Sequence, residues 1–147
     1  MTTVTRRIEW CSGHRLLDHE GKCAMMHGHQ YTAYITAYPR EKLDSIGRVI
    51  DFSILKGQLK PWIDEHWDHN FILNDHDLAG RDAINQFNKV SDAKAQVPYL
   101  MPYNPTAELI ASHLLHKVCP TVFAEYPIII SKVVVWETPN CSAEVKV

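Results

Sequence analysis

The chain has 147 residues, 46% of them apolar and 22% charged, and a formal net charge of -2. That length suits one domain with a core of its own, with no need of disulfides or a structural metal to fold. The charge balance has no basic excess, so a nucleic-acid or membrane-surface partner is not implied, and no apolar run approaches the ~18 residues of a membrane span.

The N-terminal stretch, Met-Thr-Thr-Val-Thr-Arg-Arg, lacks the apolar centre of a signal peptide, which points to the cytoplasm. The four cysteines, Cys11, Cys23, Cys119 and Cys141, form no C-x-x-C pair and read as free thiols.

Taken in chain order, residues 4–13 alternate as a strand, with Val4, Ile8 and Trp10 on one parity. Residues 15–26 are polar and irregular. Residues 29–38 are rich in aromatic and β-branched types and form a second strand that Pro39 ends. Residues 52–66 carry Leu55, Leu59, Trp62 and Ile63 at helical spacing, with Asp51 or Ser53 as the cap. Pro61 inside that pattern predicts a kink or a break. The stretch 74–103 is polar and weakly patterned and reads as a long loop that could hold a short helix around 80–90. A second helix covers 105–118, capped by Asn104 with Pro105 in first position. Strands at 127–137 and 141–147 follow, joined at Thr138-Pro139-Asn140. The order β-β-α-α-β-β predicts an α+β domain over 1–147: one four-stranded antiparallel sheet with two helices on one face.

Histidines carry the chemical signal. In His27-Gly28-His29 the two rings point to the same face of a strand. His14 ends the preceding strand, which should pair antiparallel with it, so the three imidazoles can meet at one end of the sheet. Three nitrogen ligands with a fourth position open is the zinc pattern of catalysis rather than of structure; iron also accepts imidazole. An isolated H-x-H is more often incidental, and His14 is what raises this one above that reading.

Cys23, four residues before His27, sits where a thiol near a divalent cation and Lys22 could act as a base on a carbon acid. The plainer reading makes it a fourth ligand or an inert thiol. In His66-Trp67-Asp68-His69-Asn70, Asp68 could orient His69 as an acid or base, against the alternative of a solvated polar turn. Glu108 suits the first turn of its helix through the dipole alone. Glu137 closes an otherwise apolar strand and is harder to explain by packing. Either carboxylate could grip paired N–H donors.

The set Gly13-His14-Arg15-Leu16, Cys23-Ala-Met-Met-His27-Gly28-His29, Asp51-Phe52, Asp68-His69-Asn70, Pro105-Thr106-Ala107-Glu108 and Trp136-Glu137-Thr138 resembles the 6-pyruvoyl-tetrahydropterin synthase / 6-carboxy-tetrahydropterin synthase family. The motifs run in the family's order from ~8 to ~140. The resemblance implies the tunnelling fold, with trimers whose sheets join as a barrel and stack as hexamers, and with active sites between subunits. It implies zinc on His14, His27 and His29, Cys23 as base, and Asp68-His69 as a partnered acid/base from an adjacent subunit. Glu137 would anchor the pterin's amino-pyrimidine edge, with Thr106 and Glu108 as further pterin contacts. Three residues between cysteine and H-G-H resemble the bacterial carboxy branch. That branch converts 7,8-dihydroneopterin triphosphate to 6-carboxy-5,6,7,8-tetrahydropterin, acetaldehyde and triphosphate on the route to queuosine. Arg15, Lys22 and Lys42 are candidates for the triphosphate. A pyruvoyl-type enzyme that eliminates triphosphate without side-chain cleavage, a pterin aldolase, and a non-catalytic pterin- or metal-binding protein are the alternatives.

Overall fold

The computed structural model describes residues 1–147. Its centre is the antiparallel pair β1 (Val4–His14) and β2 (His27–Pro39), in a register that sets His14 opposite His27 and Ser12 opposite His29. Side chains alternate across such a pair. Ile8, Trp10, Ser12 and His14 therefore share one buried face with Tyr31, Ala33 and Ile35. The other face carries Arg7, Glu9, Gln30, Thr32 and Tyr34, which with Trp136 and Thr138 line an open polar depression of about 490 Å³.

α1 (Phe52–His66) packs on β1. Asp51 caps it by accepting from the Ser53 amide at 2.8 Å. The break expected at Pro61 does not occur. The ring lies on the exposed side, and buried Leu55, Leu59 and Ile63 hold both halves to the sheet. β5 (Ile128–Thr138) pairs antiparallel with β2, with a bulge at Thr36/Ala37, and β6 (Cys141–Lys146) pairs with β5.

The α+β class stands, but the sheet has six strands in the order β4-β3-β1-β2-β5-β6, not four. β3 (Asn70–Asn74) runs parallel to β1, and β4 (Tyr99–Met101) parallel to β3. A parallel pair needs a crossover. The expected loop at 74–103 supplies it as α2 (Leu78–Val90), a 13-residue helix capped by Asp77. There are accordingly more than two helices. α3 (Ala107–His113) packs on β5 and β6, continues as a π-helical turn through Leu114–Val118, and ends in the short α4 (Cys119–Val122). Its cap is Thr106, whose hydroxyl accepts from the Leu109 amide at 3.1 Å. Asn104, the expected cap, is drawn off by the 15–26 loop: its amide pairs with both backbone groups of Leu17, at 2.8 and 2.9 Å.

The core of 25 buried residues lies between the sheet and α1, α3 and α4. Trp10 stacks on Tyr31 at 5.1 Å, and Trp67 closes on Trp10 at 5.5 Å. This aromatic layer lies directly behind the sheet end that holds the histidines.

Candidate active site

The antiparallel register and the period of two bring His14, His27 and His29 together. Their ligand nitrogens all lie within 4.8 Å of one another. Two carbonyls settle the tautomers. His14 Nδ1 donates to the Pro105 carbonyl at 2.8 Å, and His27 Nδ1 donates to the Met25 carbonyl at 2.6 Å. Each ring then presents a bare Nε2, and these two nitrogens face each other at 3.0 Å. Opposed lone pairs repel unless a cation or proton lies between them. Burial, with His27 and His29 nearby, pushes His14 down to about 4, against the opposing pull of the Pro105 carbonyl. Burial also lowers His29, partly offset by Glu137. Neutral imidazoles near pH 7 suit a metal better than a shared proton. Zinc–nitrogen bonds of ~2.0–2.1 Å put tetrahedral ligand atoms ~3.3 Å apart, which this cluster meets with small ring movements. Outer carbonyl partners on metal-binding rings are the usual device for fixing ring orientation.

Glu137, near the end of β5, brings a carboxylate oxygen to 3.8 Å from His14 Nε2. The Tyr31 hydroxyl lies 3.2 Å from His14 Nδ1. Burial, with Glu137 and Cys23 close by, pushes that hydroxyl far above the usual phenol range, so it stays protonated. Cys23 sits on the single 3₁₀ turn Lys22–Ala24, half-buried. The turn is stapled to the chain just after His14: the Leu16 amide donates to the Cys23 carbonyl at 2.8 Å. Histidine cluster, carboxylate, phenol and thiol thus meet at one end of β1, β2 and β5.

Asp68 and His69 lie between α1 and β3. The Cys11 amide donates to Asp68 Oδ1 at 2.9 Å, and His69 Nδ1 donates to Asp68 Oδ2 at 2.8 Å. Burial disfavours the Asp68 charge, but these two donors prevail and hold it below the ordinary carboxylate range. His69 Nε2 is left bare on a ring that is 81% exposed. His69 has φ +56°, a conformation that non-glycine residues seldom adopt. With Cys11, Gly13, Gly28 and His29 it borders a shallow recess.

The profile of the family described as 6-pyruvoyl tetrahydropterin synthase matches residues 3–147. The chain belongs to the 6-pyruvoyl tetrahydropterin synthase family. It is similar over its whole length to proteins of Rickettsia conorii and Rickettsia felis named 6-carboxy-5,6,7,8-tetrahydropterin synthase. The identities are 39% and 40%, over 99% of this chain and 100% of each relative. Among solved structures, an uncharacterized Wolinella succinogenes protein superposes with a TM-score of 0.81 at 23% identity, over 99% of this chain and 97% of that one. The Caenorhabditis elegans 6-pyruvoyl tetrahydropterin synthase gives 0.62 at 21%, over 99% and 95%. The fold is the tunnelling fold of this family.

In this pterin synthase family member the other sequence candidates divide. Thr106 follows the carbonyl that orients His14, and its hydroxyl is spent as the α3 cap; Glu108 is exposed in the first turn of that helix. Lys22 is exposed beside Cys23. Lys42 lies beyond Pro39, the far end of β2, which is itself roughly 33 Å from His29 at ~3.3 Å per strand residue, so its own chain's cluster is out of reach. Arg15 is not free for a phosphate. It grips Asp77 through two nitrogens at 2.5 and 2.7 Å and donates to the Ala24 carbonyl at 2.8 Å. Sequence reading missed Tyr31, Pro105 and Asp77. Tyr31 follows the H-x-H by two residues, so the period of two could have found it. Pro105 acts through its backbone, and Asp77 is 62 residues from its partner.

Proposed function

We propose that this chain is a zinc-dependent 6-carboxy-5,6,7,8-tetrahydropterin synthase. It would convert 7,8-dihydroneopterin triphosphate and one water to 6-carboxy-5,6,7,8-tetrahydropterin, acetaldehyde and triphosphate, a step toward queuosine and related 7-deazapurines. The observation that carries this reading is the facing pair of bare Nε2 atoms of His14 and His27, 3.0 Å apart with His29 beside them and the Cys23 turn stapled alongside. The three-residue gap between Cys23 and His27, and the full-length relatives named for the carboxy product, favour that branch over the pyruvoyl one.

His14, His27 and His29 would hold the zinc, which when bound supplies a Lewis acid toward the substrate's side-chain hydroxyls. Glu137 and the Thr106–Glu108 stretch would fix the pterin, the carboxylate taking paired N–H groups of the amino-pyrimidine edge. Cys23 would remove a proton from the side chain. His69, its ring oriented by the Asp68 carboxylate on Nδ1 so that Nε2 is left bare, would move a second proton. Two hydrogens enter the ring as the side chain loses triphosphate and its last two carbons, so no external oxidant or reductant is required. Lys22 would meet the triphosphate near the loop.

The test is product analysis with zinc-loaded protein and dihydroneopterin triphosphate. Acetaldehyde in equal amount to the carboxy-pterin is expected, and a pyruvoyl product without acetaldehyde would overturn the assignment. Cys23→Ala should keep its zinc and lose turnover by at least ~10²-fold, the ordinary contribution of a positioned base. Full activity in that variant would point to another base, and no turnover in the wild-type protein would point to a binding protein.

A further inference from the structure

The segment 75–97, read from sequence as a loop, touches the supports of both proposed proton-transfer groups. At its start, Asp77 is 1% exposed and caps α2 by accepting from the Gly80 amide at 2.9 Å. The same carboxylate takes the Arg15 fork at 2.5 and 2.7 Å, and the third Arg15 contact is the Ala24 carbonyl at 2.8 Å. Ala24 and Cys23 share one turn, and the Leu16 amide holds the Cys23 carbonyl. A single planar guanidinium thus connects the first turn of α2 to the backbone beside the thiol. A planar fork with fixed donors resists rotation in a way a lysine cannot.

At its end, the Asn88 side chain exchanges two hydrogen bonds with the Gln96 backbone, at 2.7 and 2.8 Å. The Gln96 side chain donates to the His69 carbonyl at 3.2 Å, and the Asn70 side chain donates through Nδ2 to the Val97 carbonyl at 2.7 Å. The His69 amide donates to the Cys11 carbonyl at 2.6 Å. His69 holds its positive φ only while its surroundings over-determine it, and Gln96 restrains its carbonyl while Cys11 restrains its amide.

The geometry points to α2 and its flanks as a positioning element of the reaction centre, with Arg15 and Asp77 setting the Cys23 turn and Gln96 setting His69. This rests on Cys23 and His69 being the groups that move protons. None of the three residues need touch substrate. They act by limiting where a thiol and an imidazole can go, and a displacement of ~1 Å suffices to slow a reaction by ~10².

The test uses full-length protein carrying Asp77→Asn, Arg15→Lys or Gln96→Ala, beside wild type and Cys23→Ala. Turnover, KM, metal content and the rate of Cys23 alkylation by iodoacetamide are measured. Asp77→Asn keeps the volume and a capping side chain and removes the charge that orients Arg15. We expect kcat to fall roughly ten- to a hundredfold, with KM and metal content unchanged and Cys23 alkylation altered by about threefold or more. Arg15→Lys should follow it. Gln96→Ala should lower kcat while leaving Cys23 alkylation at the wild-type rate, because it touches only His69. Wild-type alkylation and kcat in Asp77→Asn would overturn the inference. So would loss of the fold itself, which would make the pair a staple of the chain and nothing more. Full turnover in Cys23→Ala would instead sink the assignment of the base, while alkylation in Asp77→Asn would still report whether the pair holds the turn.

Discussion

The tautomers of two histidines carry most of what this site can do. His14 and His27 each give one ring nitrogen to a carbonyl, which leaves the other unable to donate. His29→Ala removes the partly exposed third ring without opening the core. It should therefore leave the circular dichroism spectrum intact and abolish stoichiometric metal after dialysis; retained metal would mean that Glu137, 3.8 Å from His14, serves as a ligand. Burial of His14 also has a consequence for the metal-free chain. Its ring takes a proton only near pH 4 when folded, but near 6.5 when unfolded. Between those values the unfolded state binds more protons. Stability present above about pH 6.5 is thus lost as the pH falls toward 4, by up to about 3 kcal/mol from this ring. His29 and His113, both lowered mainly by burial, act in the same direction. Urea unfolding of metal-free protein should show a lower midpoint at about pH 5 than at about pH 7.5 with an unchanged slope. An equal midpoint would mean that the ring is hydrated. The three ligands were legible because spacing and strand period are properties of sequence. Their orienting groups were not, because the Pro105 carbonyl is 91 residues from His14 and any residue type could offer it.

At the level of elements, two helical glycines should respond in opposite ways to alanine. Gly57 in α1 is exposed, and a Cβ there meets nothing within 4 Å. Gly57→Ala should raise stability by roughly 0.5–1 kcal/mol through helix propensity and the unfolded chain. A Cβ on Gly80 would lie 2.5 Å from Asp77 Oδ2, an atom fixed by Arg15. The same propensity gain then competes with overpacking against a buried ion pair, about 1–3 kcal/mol, so Gly80→Ala should lower Tm. Thermal melts of the two variants decide this, and a rise in both would show that the Asp77 carboxylate can move. The elements also show where sequence reading stops. β1, β2, β5 and β6 alternate and were found. β3 reads Asn-Phe-Ile-Leu-Asn with Ile72 and Leu73 both buried, the unbroken apolar pattern of a parallel strand rather than an alternating one. β4 has three residues, too few for any period. α2 lies where the loop could hold a short helix around 80–90, but its full extent did not show because only Gly80 and Ile84 are buried along it. Its Asp77 cap was visible in the sequence but had no periodic run to begin.

For the whole molecule, the sheet ends in two edge strands, β4 and β6, whose outer backbone groups need partners or water. Edges joined between copies would close a ring; with the trimers and hexamers that the family resemblance implies, sedimentation should return a mass three or six times the 16.9 kDa chain. Assembly bears directly on the chemistry. Cys23 lies by its own chain's histidine cluster, but the His69 ring is 81% exposed and its Nε2 has no partner within the chain. A proton-transfer group that open to water gains little from its carboxylate until something covers it. A neighbouring subunit is the natural cover, and His69 would then serve the neighbour's substrate. Cys23→Ala and His69→Ala chains, each inactive alone, separate the two arrangements when unfolded and refolded together. If His69 acts across the boundary, random mixing in equal parts unites an intact thiol with an intact imidazole in roughly a quarter of the sites, and activity returns to about that level. If both groups serve within one chain, no mixture contains a complete site and the refolded sample stays inactive.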